Sequence, residues 1–160
     1  MNKQPLYIRD TTGKIISIPY IIPNESYGVK QKGTLYTSYF AKLKQGKGTK
    51  ISIARYNPRW LKSADIDCWY QELAPTRQLL NDYKYNGLNW TDYSLIYKDY
   101  ISKGYISSLF IRTQIDSIAK LLDNGIDVTL YCYEKPTDNC HRHLLGDMFR
   151  EIGYEVKEIK

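Results

Sequence analysis

Two short apolar runs constrain this chain most. They are TKISIAR (residues 49–55) and IDVTLYCYE (residues 126–134). Each reads as a short apolar run of strand length. Such runs fit strands buried on both faces of a parallel sheet. TLYTSYF (34–40) and YEVKEIK (154–160) read as further strands. Helical spacing fills the intervals. PTRQLLNDYK (75–84) suits a short helix with Pro75 in its first turn. TDYSLIYKDYISK follows, with Thr91 as cap and Tyr93, Ile96, Tyr97 and Tyr100 as a core-facing stripe. A third helix over roughly 112–124 shows Ile111, Ile115, Ile118 and Leu122 on one face and stops at Gly125. A fourth runs from about Cys140 to Ile152 and ends at Gly153. The expected fold is α/β: a Rossmann-like three-layer domain with a mostly parallel short sheet.

Residues 1–33 stand apart from this plan. LYIRDTTGKIISIPYIIP reads as a β-hairpin turning at Thr12–Gly13, with Pro19 and Pro23 excluding a central strand. NESYGVKQKG links it to the domain at 34–160. Charge is also uneven. Residues 1–60 hold eleven Lys and Arg against two acids, while residues 61–160 hold twelve against fifteen. A basic first third attracts phosphate-rich partners, and nucleic acid is one of them. KLKQGKGTK (42–50) has the composition of a mobile loop but not the spacing of a phosphate-binding P-loop. The chain has no run of about 18 apolar residues and no leader-like start, so membrane and export are not expected. Three cysteines without paired spacing fit a reducing cytoplasm.

The densest chemistry lies in LYCYEKPTDNCHRHLL, residues 130–145. Strand alternation puts Val128, Leu130, Cys132 and Glu134 on one face, and Thr129, Tyr131 and Tyr133 on the other. Cys132 there reads as a small core residue, whereas Glu134 reaches the carboxyl end of the strand, where open α/β sheets bind ligands. On the following helix, Leu144, Leu145, Met148, Phe149 and Ile152 mark the buried face. His141 lies over that face, Cys140 and Arg142 flank it, and His143 points away. His141 and His143 therefore cannot share one ion, and Cys132 belongs to a strand rather than to a knuckle with Cys140. No metal and no cofactor are expected. Nor is there a CxxC redox motif. Anion chemistry remains. With Asp138 or Asn139 as cap, the helix start offers free N–H groups and a positive dipole, which bind anions and lower a thiol's pKa. Arg142 adds a planar fork suited to phosphate or carboxylate.

A second loop supports this. SIARYNPRW follows the strand TKISI, so Arg55, Tyr56, Asn57, Arg59 and Trp60 also emerge at a carboxyl end. If the two strands are parallel neighbours, both loops face one crevice, and arginine with aromatic rings suits the phosphate and base of a nucleotide.

At these residues the chain resembles the family named domain of unknown function 488. That family is marked by a strand of the type LLCYEK, a polar loop, and CHR opening a helix. LYTSYFAK, ISIARYNPRW and the ELAP segment at Glu72–Pro75 are also similar to its small phage- and Firmicute-type members, and the likeness spans roughly residues 34–160. The resemblance implies a compact Rossmann-like α/β domain. It also implies a shared site at Glu134, Cys140, His141 and Arg142, with Arg55. It implies no settled activity.

The expectation is a cytoplasmic domain that binds, or binds and acts on, a nucleotide-like or other phosphate-bearing ligand. Arg55, Tyr56, Arg59, Trp60 and Arg142 would hold the ligand. Glu134 would serve as base or orienting group, and Cys140 as a thiol activated by His141. Adjacent helical residues rarely aim at one point, so the Cys140–His141 pairing is the least natural part of this site. The rival expectations are a non-catalytic interaction protein and a nucleic-acid binder using the basic N-terminal third.

Overall fold

The computed structural model describes residues 6–9, 15–18 and 31–160. Strands β1 (Leu6–Arg9) and β2 (Ile15–Ile18) pair antiparallel, with Leu6 opposite Ile18. The turn expected at Thr12–Gly13, Pro19, Pro23 and most of the linker lie outside the described residues.

The domain itself is an α/β unit around one five-stranded sheet. Its strands are β3 (Leu35–Tyr39), β4 (Thr49–Ser52), β5 (Cys68–Trp69), β6 (Val128–Cys132) and β7 (Val156–Glu158). They lie in the order β5-β4-β6-β3-β7, and every pairing is parallel. The two-residue edge strand β5 has no signal in the sequence, because two residues cannot show a period. The expectation for β6 holds: Val128 to Cys132 are all buried. Sheet centre and apolar run coincide because β6 pairs on both sides and is covered on both faces.

Handedness then distributes the helices. A connection between parallel strands crosses right-handed, so links running opposite ways along the sheet lie on opposite faces. The chain moves one way from β5 to β6 through α1 (Arg77–Tyr85), α2 (Trp90–Ser107) and α3 (Leu109–Asp123). It moves the same way from β6 to β7 through α4 (His141–Glu151). All four helices share one core with Leu35, Ile51, Ile53, Val128 and Leu130 of the sheet. The links leaving β3 and β4 run the other way. They cover the opposite face thinly, with the 3-10 helix Phe40–Gln45 and Leu61 packed on Tyr131 and Ala54. Three layers result, consistent with a Rossmann-like domain.

Sequence spacing located the helical faces well. Ile111, Ile115, Ile118 and Leu122 are buried, as are Leu144, Leu145 and Phe149. In α2 the stripe is displaced. Tyr93 and Tyr97 are buried but Ile96 is exposed, and Ile101 takes the next inward position. Caps also move. Asn89, not Thr91, caps α2 by accepting from Asp92 N at 2.8 Å. Pro75 lies just before α1, which is capped by Thr76 accepting from Leu79 N at 3.1 Å. Removing that acceptor with Thr76→Ala should cost about 1 kcal/mol. The change would be read as a lower urea midpoint at unchanged slope.

The KLKQGKGTK segment is held rather than loose. Thr129 Oγ1 accepts from Lys47 N at 2.9 Å and donates to Lys47 O at 2.8 Å, and Tyr131 Oη donates to Leu43 O at 3.2 Å. Gly48 adopts φ 62°, and a Cβ there would lie 1.8 Å from Asp127 O. Glycine is required on both counts.

Candidate functional site

The adjacent strands β4 and β6 send their following loops to opposite faces of the sheet. A crevice opens between their carboxyl ends, as is general for such switch points. Here it is a pocket of about 410 Å³. Ala54, Arg55 and Tyr56 come from the β4 end, and Cys132, Tyr133 and Glu134 from the β6 end. Cys140 and His141 come from the start of α4. The outer wall is Leu80, Tyr83 and Lys84 of α1 with Trp90 and Tyr93 of α2. Tyr83, Trp90 and Tyr93 form one aromatic cluster, with Trp90 and Tyr93 stacked at 4.9 Å.

The β4 loop is clamped from below. Arg55 donates Nε to Pro75 O at 3.0 Å and Nη2 to Ala74 O at 3.3 Å. Gln71 Nε2 donates back to Arg55 O at 2.6 Å, and Trp69 Nε1 to Ala54 O at 2.8 Å. Arg55 is therefore fixed at the pocket wall by backbone carbonyls, which leave its charge uncompensated by those bonds.

At the floor, Cys132, Cys140 and His141 meet. The two sulfurs and His141 Nδ1 all lie within 4.8 Å of one another. Nδ1 is nearly equidistant from them, 3.7 Å from Cys132 Sγ and 3.8 Å from Cys140 Sγ. His141 Nε2 lies 2.7 Å from Ile53 O, so the ring donates that proton to β4 and presents Nδ1 to the sulfurs. Cys132 Sγ donates to Glu134 Oε2 at 3.2 Å. Cys140 and His141 converge although they are neighbours because Cys140 is not in the helix. It is the N-cap residue, with extended backbone at φ −147° and ψ 143°. This replaces the expected cap at Asp138 or Asn139. Asn139 donates its amide to Tyr83 Oη at 3.3 Å instead, tying the loop to α1.

Electrostatics separate the two thiols. Burial pushes Cys132 well above the ordinary thiol range, and its neighbours Cys140 and Glu134 add to this. Burial also opposes ionisation of Cys140. The Cys132 thiol beside it and the charges of His141 and Arg142 outweigh it and hold Cys140 well below that range. His141 is raised, because Cys140 and the bond to Ile53 overcome its burial. Glu134 is raised by burial and by Cys140.

The other sequence candidates lie elsewhere. Arg142 is fully buried and does not line the pocket. It donates Nη1 to Glu134 O at 2.6 Å and Nη2 to Glu158 Oε1 at 2.9 Å, joining α4 to β6 and β7. It thus holds the Glu134 backbone in place and contacts no pocket space. Arg59 and Trp60 are exposed and lie outside the pocket lining. Trp60 sets its ring edge on Phe40 at 6.4 Å. His143 faces Glu158, with Nδ1 3.6 Å from Oε2, and so points away from His141's partners. Tyr83, Lys84 and Trp90 were missed in the sequence, where the first two read as the end of a short helix and Trp90 fell just before the next one. The meeting of Cys132 with Cys140 was missed too. A strand-ending Cys, a seven-residue gap and a Cys-His helix start was the available signal.

An all-parallel α/β domain with this CYE-to-CHR constellation defines a class recognisable from sequence as well. The profile of the DUF488-N3a family, described as the active DUF488-N3 subclade, matches residues 35–153, and the chain belongs to the DUF488 family. No curated protein and no solved structure matches the chain. Among the described residues, no helix is long and apolar enough to cross a membrane.

Proposed function

We propose that this pocket binds a nucleotide-like or other phosphate-bearing small molecule in the cytoplasm and presents it to the Cys140–His141–Glu134 floor. The observation that carries the reading is the composition of one enclosure of about 410 Å³. Cationic Arg55 and Lys84 share it with the rings of Tyr56, Tyr83, Trp90, Tyr93 and Tyr133. That volume is within the range of small-molecule sites, about 300–1,000 Å³. Guanidinium and ammonium groups suit phosphate oxygens, and aromatic faces suit a base. The raised Glu134 and lowered Cys140 at one end are the kind of paired perturbation that marks a reacting site.

A thermal-shift screen against nucleotides, nucleosides and simple phosphates tests the reading, with wild type and Arg55→Ala side by side. A ligand at about a hundred times its Kd adds about 2.7 kcal/mol. In a domain of this size that raises Tm by roughly 5–10 °C, at about 2–4 °C per kcal/mol. The shift should fall at least by half in Arg55→Ala, read against that variant's own ligand-free Tm, which loss of the bonds to Ala74 O and Pro75 O should lower. Absence of a shift with every phosphate-bearing ligand overturns the reading.

A further inference from the structure

We infer that Cys132 Sγ, Cys140 Sγ and His141 Nδ1 form a three-ligand site for a zinc-type divalent cation, with its fourth position facing the pocket. This goes beyond the ligand reading and does not depend on it.

Distances carry the argument first. Zinc takes thiolate sulfur at about 2.3 Å and imidazole nitrogen at about 2.0–2.1 Å in a tetrahedron, so its bound sulfur and nitrogen stand about 3.6 Å apart. The two observed sulfur–nitrogen separations are 3.7 and 3.8 Å. They are long for a directed hydrogen bond, and nearly equal, as expected of atoms arranged around a common centre.

The second observation is the way His141 is anchored. A metal-binding imidazole commonly gives its other N–H to a carbonyl or carboxylate, which fixes tautomer and ring direction. His141 Nε2 meets Ile53 O at 2.7 Å, leaving Nδ1 toward the sulfurs. Tyr97 sets its ring against the imidazole at 5.6 Å and limits its rotation.

Third, the donor set matches the ion. Two thiolates with Zn²⁺ sum to neutrality, which removes the penalty of burying a lone thiolate. All three residues are buried yet line the pocket, so an entry path exists. Two cysteines and a histidine leave one position for water or a ligand oxygen, the arrangement of a reactive rather than a closed structural zinc. Glu134 Oε2, 3.2 Å from Cys132 Sγ, lies outside the mutually close set, and metal binding would release the thiol proton that Cys132 now donates to it.

The test uses the full chain, purified under a phosphine reductant. Elemental analysis should find about one zinc per chain. After chelation and desalting, Co²⁺ titration should produce the sulfur-to-cobalt charge-transfer absorption and the intense visible bands of tetrahedral thiolate coordination. Zinc should then abolish them. Cys68→Ser and His143→Ala should keep these bands, while Cys140→Ser, Cys132→Ser and His141→Ala should lose them. Alkylation read by mass spectrometry gives an independent measure: zinc should protect Cys132 and Cys140 but not Cys68. If a site variant fails to fold, the wild-type titration and alkylation still decide. Folded, reduced wild type without stoichiometric zinc and without cobalt–thiolate bands overturns the proposal. So do bands that survive loss of Cys140. The ligand screen repeated on chelated protein separates the two readings, because Arg55 and Lys84 do not require the ion.

Discussion

Arg142→Ala should lower stability by about 3–5 kcal/mol, the usual cost of removing one partner from a buried pair. The effect follows from where the guanidinium lies. Arg142 is fully buried, bridging Glu134 O and Glu158 Oε1. Its loss would leave the Glu158 carboxylate with Thr37 and the more distant His143. It would also free the backbone of Glu134 at the pocket floor. Chemical denaturation should show the midpoint falling. Arg142→Lys should recover only part of the loss, because an ammonium cannot span two acceptors in the fixed fork of arginine. The contrast with Arg55→Ala is diagnostic: the first change should act on stability alone, the second on ligand affinity as well. A wild-type-like midpoint for Arg142→Ala with selective loss of ligand would restore Arg142 as a direct anion holder.

Gly48→Ala should cost about 2–4 kcal/mol, combining left-handed backbone strain with overpacking. At φ 62° a side chain is strained whatever the space, and here the new Cβ meets the Asp127 carbonyl at 1.8 Å. Thr49 N donates to that same carbonyl at 2.9 Å, so relief would disturb the start of β4. Gly87→Ala is the comparison: its φ is 75° but nothing lies within 4 Å, so only backbone strain applies. Thermal unfolding of the pair should show the larger Tm drop at Gly48. Equal drops would mean that the close approach to Asp127 is relieved without cost.

These residues also show what a sequence makes legible. Elements with several periods were readable: IDVTLYCYE as a doubly buried strand, and Ile111–Ile115–Ile118–Leu122 as a helix face. Termini were less so, because a cap is decided by a single side chain. Asn89 took the place expected of Thr91, and Cys140 that of Asp138 or Asn139. The site was half legible. Strand ends pointed to Arg55, Glu134, Cys140 and His141, since the carboxyl edge of a parallel sheet is where its loops converge. The fate of Arg142 was hidden because its partner Glu158 comes from β7, whose position beside β3 no local pattern encodes. Trp60 and Arg59 were drawn toward the crevice by sequence proximity to Arg55. Pro58, buried between them and the strand, marks where the chain instead turns toward Phe40.

The place of β6 in the sheet has a consequence for how the protein is made. Strands β3 and β4 never pair with each other; each pairs with β6, which is translated some eighty residues after β4. A nascent chain that stops before Val128 thus carries β3 without a partner strand and β4 with only the two-residue β5 beside it. Such late, long-range closure makes folding slow and leaves early intermediates prone to association. Burst synthesis at elevated temperature should tax this protein more than its final stability suggests, and holding chaperones would act before residue 128 emerges rather than after.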